Sequence, residues 1–537
     1  MRYLLLLSMM LSALYSTQLD NRLNSIINSD PYQLSQNSSE RNIIRQLYSF
    51  NQNRPLWIGH ARNLNTLREA LQDPYFNYRN KNLYQNEIEQ YTYLLNDNMD
   101  LNNNANDLAT LDILLTRAYV GLANFIVQSD TNWDMVQDKI RALKESKDIT
   151  ANWEMVRKSS PSASRLFAAI TSENIYDFFK SITPLPRLHQ DLVDSLQFYK
   201  SLGALPRIKY AKDLRFGDQY PYISDIKQRL IVTGDLRNRN NISDIFDRDL
   251  LNALRSYKDR FKLTQNNTID KITVYYMNKP MSEHVQSILT NLDKLKVFPD
   301  RFPDEYIRVN LPDFTMDYVR NGESILHMNA VVGRDVRPTP VFSSLMKYIV
   351  LNPTWNIPEN LVRRDLIPAL QEHPDYLTEH NIHAFKGWKN KKEIKNFTVD
   401  KLLPYKDGGS IPYRFVQYPG DDNALGRVKF MFPNKYSVYL HDTDNKSLFS
   451  RRYRVYSSGC MRLEKPFELL EVLKSRLRAS DVRNIDKYRN TLKTVTLNLT
   501  KPLPVHTTYF TVFKKNGLTY FRKDVYEYDK FIQTSQK

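Results

Sequence analysis

The sequence predicts a multidomain α+β protein, helical up to about residue 300 and mostly β after it. Three observations carry this. At 537 residues the chain is too long for one core, and 41% hydrophobic with 12% aromatic residues is enough for several packed ones. Apolar residues recur at helical spacing in the first half, as in Leu108, Leu111, Leu115, Ala118, Leu122 and Ile126. From about Tyr306 the period drops to two, with Ile307, Val309 and Leu311, then Phe314, Met316 and Tyr318, alternating with polar neighbours.

The N-terminus, Met1 to Tyr15, has a basic start and a short apolar run. The run is too short for a bilayer and reads as a secretory leader over residues 1–16; left uncleaved, it would tether the protein at a membrane surface. No later stretch reads as apolar enough to span. Residues 17–205 form a first helical region. It includes Pro55-Leu56-Trp57 with a Leu-spaced helix to Leu71, an Asn-rich loop at 96–106, and helices in 171–199 interrupted at Pro184 and Pro186. Residues 206–300 change character. A Gly217-Asp218 turn, a helix through Ile223, Ile226 and Leu230, a Gly234-Asp235 turn and a helix through Leu250, Leu254, Tyr257 and Phe261 follow one another.

Residues 301–537 carry the strands. These are Ile325–Val332 closed by Gly333, Met346–Leu351, Val428–Phe432, Ser437–Leu440, and 494–499, with a hairpin of 505–513 and 518–521 turned at Asn516-Gly517. An insertion over about 359–420 interrupts them with a helix at 361–371 and a lysine-rich stretch near 386–395. A helix with Phe467, Leu470 and Leu473 follows Cys460, so the cysteine is expected close before a helix N-terminus, where the dipole favours a thiolate.

Cys460 is the one cysteine, so it has no intramolecular disulfide partner. A cysteine of this kind is usually a small buried hydrophobe. Its flanks argue otherwise. Ser457, Ser458 and Gly459 make a polar turn whose amides can stabilise an oxyanion, and Arg462 lies two residues beyond. His441 stands nineteen positions upstream, a candidate base for the thiol. Asp442 can orient the imidazole or simply end the strand. Tyr439 and Trp355 are candidate pocket walls. His380 and His383 have metal-compatible spacing, but no carboxylate or cysteine cluster completes a site, and no Gly-rich phosphate loop is present; neither a metal nor a cofactor is expected. A net charge of +17 and a pI near 9.4 ask for an anionic partner. In an exported protein, a polymer bearing peptide carboxylates fits better than nucleic acid.

His441 followed by Ser457-Ser458-Gly459-Cys460-Met461-Arg462 resembles the signature of L,D-transpeptidases with a YkuD-type catalytic domain, most of whose members have a second His where Ser458 stands. Serine there, with Arg337-Pro-Thr-Pro-Val-Phe342, Leu351-Asn-Pro-Thr-Trp-Asn-Ile-Pro358 and Asn423 to Asn434, is similar to the large multidomain periplasmic (YcbB-type) subclass. The resemblance implies a helical scaffold domain at 17–205, a small helical peptidoglycan-binding-like module at 206–300, and a mostly β sandwich catalytic domain with a capping insertion at 301–537. It implies a periplasmic cysteine acyltransferase (EC 2.3.2.-) acting on peptidoglycan stem peptides and glycan. Cys460 would be the nucleophile and His441 the general base and acid. Gly459 and Ser458 would serve the oxyanion, with Arg462, Tyr439, Trp355, Ser457 and Asp442 near substrate. Water or a free D-amino acid as acceptor would instead make an L,D-carboxypeptidase or an exchange enzyme, and an inactive fold would leave a wall-binding scaffold. Sequence does not separate the acceptors or give the oligomeric state.

Overall fold

The computed structural model describes residues 13–29, 34–97, 104–147, 149–240, 242–387 and 392–536. Most of the expected leader, part of the Asn-rich loop, and Lys389 and Lys391 of the basic stretch lie outside these residues. The helix Ala13–Ser29 runs through the expected leader boundary and buries Leu19, Leu23, Ile26 and Ile27.

The helical half is organised around Ala105–Gln128, a helix apolar on nearly every side and buried from Leu108 to Val127. The helices Ala13–Ser29, Ser38–Phe50, Ala61–Gln72, Gln85–Asp97 and Ile175–Ile182 pack around it. Contrary to the sequence expectation, this helix is long and apolar enough to cross a membrane, but 78% of its most apolar window is buried inside the protein. Its one buried carboxylate explains the Pro55-Leu-Trp block. Asp112 accepts the amides of Leu56, Trp57 and Ile58 at 2.9–3.1 Å and the Tyr48 hydroxyl at 2.8 Å, so a buried acid is stabilised as a loop anchor. Pro186 does not break a helix but opens Pro186–Ser201 at its first turn, where a missing N–H costs nothing.

The strands form one nine-stranded sheet. They are β1 Glu305–Asn310, β2 Thr315–Arg320, β3 Glu323–Gly333, β4 Ser343–Leu351, β8 Val428–Met431, β9 Leu440–His441, β10 Val455–Ser457, β11 Met461–Leu463 and β12 Val495–Thr508. Three more, β5 Trp355–Asn356, β6 Ile382–Lys386 and β7 Tyr413–Gln417, make a separate sheet in the insertion; β13 Val512–Lys515 and β14 Leu518–Phe521 make the terminal hairpin. The order of the large sheet is β10-β3-β11-β9-β8-β4-β12-β1-β2, and β2 pairs again with β3, so the sheet folds back on itself and encloses its own apolar face. Where the sequence suggested two strands at 494–499 and 505–513, β12 is one strand paired with β4 on both sides of an irregularity between Asn498 and Leu503. Pro502 falls in that gap, where a missing donor breaks no ladder bond.

The insertion has its own apolar core of Val362, Leu366, Ile367, Leu370, Leu402 and Phe415. The two flanking motifs staple its ends. Asn423 donates to the carbonyls of Pro353 (3.2 Å) and Tyr418 (2.9 Å), and Arg427 Nε donates to Asn352 Oδ1 (2.9 Å). The hairpin β13–β14 turns at Asn516 and Gly517, both at positive φ, as a two-residue turn requires. It packs on the helices Pro186–Ser201 and Arg248–Arg260 rather than on the large sheet. Arg260 there pairs with Asp235 at 2.5 Å, both buried, and donates to the Thr519 carbonyl. Upstream, Trp153 bridges to Val341 and Glu154 pairs with Lys435 (2.7 Å), so the helical half touches the loop just before the site.

Candidate active site

The site is one face of three adjacent strands. In register, His441 of β9 lies opposite Lys429 of β8 on one side and Arg462 of β11 on the other. Side chains two apart share a face, which puts Tyr439 with His441 and Cys460 with Arg462. The Tyr439 and His441 rings meet edge to face at 5.5 Å, and Lys429 Nζ lies 5.6 Å from the Tyr439 ring centre.

Sequence alternation suggested a strand through Ser437–Leu440. Only Leu440 and His441 pair. Asn434 takes the backbone groups a strand would need, accepting the Tyr436 amide and donating to the Val438 carbonyl, and Ser437 sits at φ 55°. This curl brings the Ser437 carbonyl to 4.0 Å from Cys460 Sγ.

Cys460 is half-buried, and burial pushes its thiol above the ordinary value; the amide and hydroxyl of Tyr439, Arg462 and Lys429 pull the other way. The expected help from a helix N-terminus is not among these influences, because β11 intervenes between Cys460 and the helix Pro466–Leu473. His441 is 3% exposed, and burial, then the Arg462 charge, lower its pKa to about 3. The Asp442 backbone pulls the other way, and no side chain among the described residues pairs with the buried Nδ1. A neutral imidazole on the face of a neutral thiol flanked by two cations can accept the thiol proton as the sulfur attacks.

The turn before Cys460 is tightly braced. Ser457 Oγ donates to the Cys460 carbonyl at 2.5 Å and accepts the Gly459 amide at 3.1 Å. The Gly459 N–H is engaged by Ser457 in this ligand-free structure, whereas the Cys460 amide carries no hydrogen bond among the described residues and is the donor left open. Gly459 has φ 115°, a conformation that requires glycine. Ser458 is exposed, its hydroxyl 3.3 Å from Arg364 of the insertion.

Asp442 meets the imidazole through its backbone, while its carboxylate is engaged elsewhere. Its carboxylate accepts the Arg427 amide at 2.9 Å and pairs with Lys446, as expected for a residue one step out of phase with His441. Arg462 donates to Thr443 at 3.3 Å, and its buried Nε has no partner among the described residues. Trp355 packs against the core of the insertion. His383 pairs with Glu393 at 2.7 Å, and His380 stacks on Tyr376.

Sequence reasoning missed Lys429, Arg364 and Thr339. Buried Thr339, inside the 337–342 motif, accepts the Gly333 amide and donates to the Gly459 carbonyl, both at 2.8 Å. Gly333 is forced by this approach, since a Cβ there would stand 2.2 Å from the Arg337 carbonyl oxygen. Tyr526 closes the arrangement by donating to the Gly333 carbonyl at 2.7 Å. The sequence offered Thr339 as a motif member, but Lys429 and Arg364 carried no signal before the pairing was known.

Comparison with known families places this site. The L,D-transpeptidase catalytic domain family, YkuD, matches residues 304–492, a range that holds β1 to β11 and the insertion. Residues 304–492 are thus similar to YkuD-type L,D-transpeptidase catalytic domains. The Scaffold domain family matches residues 42–196, the helices around Ala105–Gln128. A Haemophilus influenzae protein named "Putative L,D-transpeptidase" is 31% identical over 299 residues, which cover 55% of this chain and 58% of that protein. The match thus spans less than two thirds of the relative's length. A solved chain described as "Structure of the Ldtfm-avibactam carbamoyl enzyme" aligns over 59% of this chain and 98% of its own at 12% identity, with a TM-score of 0.17, too low to bear on the fold. Fold and family therefore agree on a helical N-terminal part followed by a mostly β YkuD domain. The Cys460 turn and His441 both lie within that domain.

Proposed function

We propose that the protein is a periplasmic peptidoglycan L,D-transpeptidase that forms 3-3 cross-links during cell-wall remodelling. Cys460 attacks the carbonyl of the third residue of a tetrapeptide stem. His441 takes the thiol proton and delivers it to the nitrogen of the breaking C–N bond, releasing D-Ala and leaving a thioester. The side-chain amine of a neighbouring stem then attacks that carbonyl. The sulfur leaves, and His441 returns the amine proton to it. A thioester suits this chemistry because it resists water better than it resists amines. The Cys460 amide is the oxyanion donor in this scheme, and Lys429 and Arg462 offset the negative charge on sulfur.

The observation that carries the reading is the placement of His441: a buried imidazole whose pKa burial lowers, on the strand paired with the one that follows the lone cysteine. The test is intact-mass spectrometry after incubation with a carbapenem. Wild type is expected to gain one drug mass and Cys460→Ala none. An unmodified wild-type protein would count against an acylating thiol.

A further inference from the structure

The capping insertion delivers a cation to the catalytic turn. Arg364 lies in the π-helical stretch Val362–Leu366, and such stretches recur at functional sites because they turn side chains out of α-helical phase. Its guanidinium has two forks. The Nε/Nη2 fork is filled by Asp365, with bonds of 2.7 and 2.6 Å, which fixes the side chain and holds it fully charged. The end-on fork has no partner on Nη1 among the described residues and touches Ser458 Oγ through Nη2 at 3.3 Å. The Arg364 side chain is 30% exposed. The insertion approaches the site at a second point, where Asp444 acts on both Tyr376 of the insertion and Arg462 of β11.

We infer that the open fork of Arg364 and the Ser458 hydroxyl form an anion subsite for a peptide carboxylate one residue past the scissile carbonyl. This rests on the transpeptidase reading above. Two residues of chain separate Ser458 from Cys460, at most roughly 7 Å. A terminal carboxylate one residue beyond the attacked carbonyl lies within the same reach. Serine rather than histidine at this position leaves a small hydroxyl that can donate to one carboxylate oxygen while Arg364 holds the other. Asp365 is a positioning residue: it aligns the fork before substrate arrives. The subsite explains how a pocket can prefer stems ending in a free D-amino acid, and it ties that preference to the placement of the insertion.

The test measures binding in the Cys460→Ala background, so that no chemistry intervenes. The probes are a disaccharide-tetrapeptide and the same compound with its terminal carboxyl amidated, read by calorimetry. A charged hydrogen-bonded pair is worth enough to expect about a 10- to 100-fold preference for the free carboxylate. Adding Arg364→Ala is expected to erase that preference while leaving affinity for the amide unchanged. Arg364→Lys should restore only part of it, because an ammonium cannot fork. A preference that survives Arg364→Ala, or no preference at all, would overturn the subsite. Failure of the transpeptidase reading looks different: wild type would show the carboxylate preference yet gain no acyl mass from the tetrapeptide.

Discussion

Replacing Thr339 by Val keeps shape while deleting one hydroxyl, and that hydroxyl serves two buried backbone groups. It accepts the Gly333 amide and donates to the Gly459 carbonyl, at 2.8 Å each, on a residue with 0% exposure. Leaving a buried donor or acceptor unsatisfied costs about 1–3 kcal/mol, so two such groups cost about 2–6 kcal/mol. The effect should be local, at the junction of β3 with the Cys460 turn. At least 2 kcal/mol of that cost corresponds to about a 30-fold loss of protection of the Gly333 amide in native-state hydrogen exchange. Carbapenem acylation should slow as well, because the Gly459 carbonyl holds the turn in the conformation that exposes the Cys460 amide. Thr339→Ser keeps the hydroxyl and should exchange like wild type to within a few-fold. If Thr339→Val retained wild-type protection and acylation, the claim that Thr339 anchors the nucleophile turn would be wrong.

Two further expectations concern pH. Burial raises the Cys460 thiol, so alkylation by iodoacetamide should keep accelerating through pH 8 and beyond; a plateau reached below pH 7 would mean a preformed thiolate–imidazolium pair. Buried His284 and His189 have pKa values lowered to about 3 and about 4, in both cases chiefly by burial. Their unfolded forms bind a proton near the ordinary value of about 6.5, so their contribution to stability is complete above that pH and is lost as pH falls toward the folded value. Between pH 7 and pH 5 each should cost about 2 kcal/mol. His284 packs against Tyr199, Phe261 and Phe521, so His284→Phe should remove its share of the acid sensitivity of the urea midpoint; an unchanged pH dependence would exclude it.

Much of the fold was legible because local signals and tertiary structure agree. The Ala105–Gln128 helix shows its apolar spacing openly, and Asn516-Gly517 announces its own hairpin. Ser437–Val438 was misread as strand because alternation cannot register that the Asn434 side chain takes the backbone groups a ladder would use. The break at Pro502 looked like two strands because sequence does not reveal that β4 pairs on both sides of it. In the site, Cys460 and His441 stood out by residue type and spacing. Their neighbours did not. Lys429 joins His441 only through the β8–β9 register, and Arg364 comes from an insertion nearly one hundred residues upstream of Ser458. The Ser457 hydroxyl that engages the Gly459 amide was likewise not legible as a brace from the sequence.

The most direct measurement is mass spectrometry of a disaccharide-tetrapeptide incubated with wild type and with Cys460→Ala. The account expects a cross-linked dimer lacking one D-Ala, made by wild type alone. Tripeptide without dimer would assign the acyl-enzyme to hydrolysis instead. Unchanged tetrapeptide with wild type would contradict the claim that Cys460 and His441 form an acylating pair.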